Sequence, residues 1–88
     1  MTENRVEIIN SLGLHARPAA QLVKITTQYD CDVFIEKDGM EINAKSIMGV
    51  MMLAAEQGSY ITIKCDGEDQ DDCMNELINL IKNKFFEE

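Results

Sequence analysis

A histidine two residues before an arginine and three before a proline is the arrangement here with the clearest capacity for chemistry. His15 is the only histidine in the chain, Pro18 the only proline and Arg17 one of two arginines. The stretch Asn10-Ser11-Leu12-Gly13-Leu14-His15-Ala16-Arg17-Pro18-Ala19 reads as a strand exit, a flexible glycine, then the opening turn of a helix. His15 stands on the lip of that helix. The first four N–H groups of a helix have no internal partner and the dipole there is positive, so the terminus receives anions. A histidine in that field is disfavoured as imidazolium. It is expected as an uncharged ring with a free lone pair, a competent nucleophile. A phosphoryl group on that nitrogen would face the first-turn amides around Ala16 and Arg17 and the Arg17 guanidinium. The chemistry these residues suit is a histidine that accepts phosphate and gives it away. The plain structural alternative is a capping histidine beside a solvated arginine.

The elements that must hold this stretch follow from periodicity. In Arg5-Val6-Glu7-Ile8 the alternation puts Val6 and Ile8 on one face of a first strand. After the site loop, Ala19, Leu22, Val23 and Thr26 recur at helical spacing. Asp32–Lys37 and Met40–Ala44 flank Asp38-Gly39, a two-residue hairpin signal. That turn sets Ile35 opposite Ile42 and Glu36 opposite Glu41, the second pair on the wet face, with Phe34 also pointing outward and exposed. Ser46 caps a short helix running to about Leu53. Gly58 leads into Tyr60–Cys65, a strand with Ile61, Ile63 and Cys65 on one side. Asp69, Asp71 and Asp72 crowd the start of a last helix, as its dipole favours, and read as a helix-opening device, not a metal site. Met74, Leu77, Ile78 and Ile81 give that helix its buried stripe, with Lys82 and Lys84 near its end. The order strand–helix–strand–strand–helix–strand–helix predicts an α+β open-faced β-sandwich, three helices on one face and the other face wet.

Composition bounds the partners. Eighty-eight residues predict one domain, 1–88. No apolar run approaches the roughly 20 residues that span a membrane, and the amino terminus lacks signal-peptide character, so a cytoplasmic protein is expected. A net charge of −8 argues against nucleic acid. Cys31, Cys65 and Cys73 are odd in number and lack Cys-x-x-Cys spacing. They read as reduced small hydrophobes, without disulfide or zinc site.

Gly13 to Ala19, Gly-Leu-His-Ala-Arg-Pro-Ala, resembles the active-site loop of the histidine-containing phosphocarrier (HPr) family of the bacterial phosphotransferase system. Lys45-Ser46-Ile47-Met48-Gly49-Val50-Met51 resembles that family's regulatory serine segment, at the expected distance. The resemblance implies a four-stranded antiparallel sheet in spatial order 1-4-2-3. It also implies a first helix starting near Ala16 with His15 as cap; Pro18 alone would suit a start at its own position, since it disfavours helical angles in the residue before it. Enzyme I, charged from phosphoenolpyruvate, would donate to Nδ1 of His15, and an enzyme II A component would accept, with no cofactor in the carrier. Ser46 would be the target of a serine kinase and phosphorylase, and Ala20, Ile47, Met48, Met51 and Met52 a docking face. The implied protein is a monomer that meets neither nucleic acid nor membrane and serves sugar transport. Leu12 departs from the Ser or Thr usual there in sugar-type carriers, and Asn10–Gly13 is closer to nitrogen-related ones. The alternative is an adaptor that binds a transcriptional regulator through phosphorylated Ser46; such relatives would lack the site histidine, which stands here with Arg17.

Overall fold

The computed structural model of the chain describes residues 1–87. Its elements run β1 (Thr2–Glu7), α1 (Ala16–Thr26), β2 (Asp32–Lys37), β3 (Met40–Asn43), α2 (Ile47–Met52), β4 (Tyr60–Asp66) and α3 (Gln70–Lys82), then a short turn at Lys84–Phe86. The strands form one antiparallel sheet in the order β1-β4-β2-β3, and the α+β open-faced arrangement is the one the pattern predicts. Alternation places Val33, Ile35, Ile61, Ile63 and Cys65 inward, where they meet Ala19, Leu22 and Val23 of α1 and Leu77 and Ile81 of α3 in one buried cluster.

Local signals set the geometry where they were strong. Asp38 (φ 51°) and Gly39 (φ 84°) make the hairpin turn, and the ladder pairs Ile35 with Ile42 and Glu36 with Glu41. The two glutamates do not face each other unrelieved. Lys64 of β4 reaches across, its Nζ 2.8 Å from Glu41 and 3.4 Å from Glu36, and the hydrogen bond to Glu41 raises its pKa. Phe34 is half-buried, not exposed, because it sits between Lys64 and Asn43 in the ladder. Ser46 caps α2, its Oγ accepting from the Gly49 N–H at 3.1 Å.

Two details go beyond the pattern. Lys82 closes α3 and Lys84 follows just past its end, as expected. Beyond Lys82 the backbone turns left-handed, with φ of 55°, 55° and 57° at Lys84, Phe85 and Phe86, and Phe85 is fully buried. Asp69 does more than favour the dipole of α3: its two carboxylate oxygens accept the backbone N–H groups of Asp30 and Cys31 at 2.8 and 2.9 Å. No helix among the described residues is long and apolar enough to cross a membrane.

Candidate functional site

The site loop is held by backbone geometry before any side chain acts. Gly13 (φ 67°) lies against the segment after α2, where a Cβ would come within 2.3 Å of the Ala55 carbonyl oxygen. Both the left-handed angle and this approach require glycine. The next residue, Leu14, donates its N–H to that same carbonyl at 2.8 Å and buries its side chain. His15 is thereby delivered as the N-cap of α1, in extended conformation (φ −78°, ψ −172°) and with no side-chain capping bond. The N–H groups of Ala16 and Arg17 have no intrahelical acceptor by helix geometry, and Pro18, at the third position, carries none to lose.

The imidazole is oriented from the far end of the chain. His15 Nε2 lies 2.9 Å from Oε2 of Glu87, and the Asn10 amide donates to Oε1 of the same carboxylate at 3.0 Å. Asn10, fully buried, also donates to the Gly13 carbonyl at 2.8 Å, so one side chain ties the loop to the carboxylate that holds the histidine. A carboxylate accepts only, so Nε2 carries the proton and the lone pair of the neutral ring is on Nδ1. The His15 side chain keeps 35 % of its surface exposed, against 16 % for Glu87.

Arg17 is exposed, and no carboxylate among the described residues lies within salt-bridge distance of it. It lines a groove of about 370 Å³ with Ser11, Leu12, Phe86 and Glu87. A second groove, about 240 Å³, runs between His15, Leu12 and Leu14 on one side and Ala54, Ala55 and Glu56 on the other. This second groove reaches from the site to the segment that follows α2. In α2 and its C-cap, Val50 and Leu53 turn inward, while Ile47, Met48, Met51 and Met52 are exposed by 42, 74, 42 and 63 %. Ala20 is also exposed, on α1. The structure places His15 and Arg17 together at the start of α1, and exposes on α2 an apolar face that begins at Ser46. Sequence reasoning missed the roles of Asn10 and Glu87. The one available signal was the apolar pair Phe85-Phe86 after the last helix, which marks a tail that returns to the body.

Comparison with known proteins identifies the family and the fold. The family described as "PTS HPr component phosphorylation site" matches residues 2–83. The phosphocarrier protein HPr of Xylella fastidiosa (strain Temecula1) is 44% identical over 88 residues, covering 100% of this chain and 99% of the relative. The crystal structure of HPr-C-His from Thermoanaerobacter tengcongensis superposes with a TM-score of 0.96 at 42% identity, covering 100% of this chain and 99% of that one. Crh of Bacillus subtilis, described as a swapped dimer, superposes with a TM-score of 0.76 at 40% identity, covering 96% of this chain and 97% of that one. A chain with this fold and a family match over nearly its whole length belongs to the HPr family of phosphocarrier proteins of the phosphotransferase system.

Proposed function

We propose that residues 1–88 act as one phosphocarrier domain, in which Nδ1 of His15 takes a phosphoryl group from enzyme I and passes it to an enzyme II A component. The observation that carries this is the Nε2–Glu87 hydrogen bond of 2.9 Å, which leaves Nδ1 as the nucleophilic nitrogen. The lone pair of Nδ1 forms the new P–N bond as the bond from phosphorus to the donor atom of enzyme I breaks, and the electron pair of that bond returns to the donor atom. No proton need move. The ring keeps its Nε2 proton and becomes a phosphoimidazolium, whose positive charge the Glu87 carboxylate offsets. The phosphoryl oxygens meet the free amides of the first turn and the Arg17 guanidinium, so catalysis is positioning and charge stabilisation. The same Glu87 charge opposes the phosphate itself, which keeps the phosphorylated state from becoming a trap.

Ile47, Met48, Met51 and Met52, with Ala20 across the site, form the docking face for both partners; methionine suits a surface that must fit more than one. Ser46 stands at the edge of that face, where phosphorylation by a serine kinase would add charge that a docking partner must bury or repel. The carrier is read as a cytoplasmic monomer. The test is reconstitution with enzyme I and labelled phosphoenolpyruvate: wild type takes up label that is acid-labile and alkali-stable, and His15→Ala takes up none. Label retained in His15→Ala would overturn the assignment.

A further inference from the structure

Three thiols that lie far apart in the sequence meet inside the fold. Cys31 lies in the turn between α1 and β2, Cys65 on the inward side of β4 and Cys73 in the first turns of α3. All three are buried, with exposures of 1, 0 and 0 %, and their Sγ atoms lie within 4.8 Å of one another. In a zinc–thiolate centre with Zn–S bonds of about 2.3 Å, neighbouring sulfurs are about 3.8 Å apart. The triangle seen here needs to contract by about 1 Å per edge at most, within reach of side-chain adjustment.

The surroundings give access to the cluster and pack closely around Cys31. A groove of about 300 Å³, lined by Asp30, Cys31, Gly67, Glu68 and Asp69, opens from the surface onto Cys31. Its carboxylates favour entry of a cation. At Gly67 a Cβ would stand 2.7 Å from both Cα and Cβ of Cys31, so only glycine permits this close cover. Asp69 fixes the Cys31 backbone through the two hydrogen bonds described above, and the bond from the Asp30 N–H is the main reason its carboxyl pKa is lowered. Such outer support is what holds ligands in place around a metal.

We propose that Cys31, Cys65 and Cys73 form a binding site for one thiophilic d10 cation of the Zn²⁺ class, held by three thiolate sulfurs. Binding is a ligand exchange with no redox step: Zn²⁺ and three thiols give a tris-thiolate complex of charge −1 and release three protons to solvent. Soft sulfur donors select such ions over Mg²⁺ or Ca²⁺. A coordinated cation supplies the charge that deprotonates its thiol ligands. The spacing along the chain gives no sign of this cluster, which the fold makes by bringing turn, strand and helix together. The metal would staple those three elements and shares no residue with the His15 site.

The experiment titrates reduced, metal-free full-length protein with Cd²⁺ as the spectroscopic probe. The expected result is an ultraviolet thiolate-to-cadmium band that saturates at one equivalent, is displaced by Zn²⁺ and is untouched by Mg²⁺. Zn²⁺ should also raise the thermal midpoint of wild type. Cys31→Ala, at the groove, should bind Cd²⁺ at least tenfold more weakly and lose the Zn²⁺-dependent rise. Cys73→Ala should do the same and provides a second reading if either variant folds poorly. Absence of the band in folded wild type, or an undiminished affinity in a folded single-cysteine variant, would overturn the proposal.

Discussion

Nε2 of His15 and Oε2 of Glu87 lie 2.9 Å apart across 72 residues of sequence, so the end of the chain sets the orientation of the imidazole near its start. Glu87→Gln keeps an oxygen that can accept the Nε2 proton but removes the charge. A charge-assisted hydrogen bond is roughly twice as strong as a neutral one, a difference of about 1 kcal/mol, which converts to about fivefold in rate. Single-turnover transfer from phosphorylated enzyme I should slow by that order in Glu87→Gln and further in Glu87→Ala. An unchanged rate in both would leave the contact without a role in transfer.

Arg17→Ala should leave the fold intact and slow transfer about tenfold, because an exposed guanidinium contributes charge and no core. The thermal midpoint should stay close to wild type. Arg17→Lys should recover part of the rate, since a point charge replaces some of the electrostatics without the planar fork. Transfer at the wild-type rate in Arg17→Ala would make the arginine a solvated side chain.

The helical face beside the site separates docking from stability. Met48 is 74 % exposed, so Met48→Glu should weaken binding of enzyme I, measured by calorimetry, with little change in the midpoint. Ser46 accepts from Gly49, and its removal in Ser46→Ala should cost about 1 kcal/mol while transfer continues. Ser46→Asp retains a capping oxygen and adds charge at a helix start, so it should match wild-type stability yet accept phosphate more slowly. If Ser46→Asp accepts phosphate as fast as wild type at low salt, the serine is a cap and no switch.

Much of this arrangement is readable from spacing. Ala19, Leu22, Val23 and Thr26 are buried as their helical period requires. The Asp38-Gly39 turn fixes the Ile35–Ile42 register, and the division of α2 into an inward Val50 and outward methionines follows from the same arithmetic. Contacts made across the sheet or between chain ends leave no local period. Neither Lys64 between Glu36 and Glu41 nor Glu87 on His15 could be read from neighbours in sequence. The strand order came from family resemblance, since alternation says which face is buried but not which strand lies beside which.

Asp69 supplies a pH test of the turn that carries Cys31. Its carboxyl pKa is lowered, chiefly by the Asp30 N–H. The ionised form therefore adds stability above the ordinary carboxyl pKa of about 4, and that stability is lost as pH falls through the lower folded value. Asp69→Asn should be less stable than wild type at neutral pH, with the difference shrinking as the pH drops below about 4. Chemical denaturation at a series of pH values measures this. A difference that stays constant with pH would mean the negative charge contributes nothing.

Whether Nδ1 of His15 is the phosphoacceptor can be read from heteronuclear NMR of ¹⁵N-histidine-labelled protein phosphorylated by enzyme I. With one histidine in the chain, the imidazole signals are unambiguous. The expected result is phosphorus coupling to Nδ1, with the proton retained on Nε2 beside Glu87. Coupling to Nε2, or stoichiometric phosphorylation that leaves both ring nitrogens uncoupled, would contradict it.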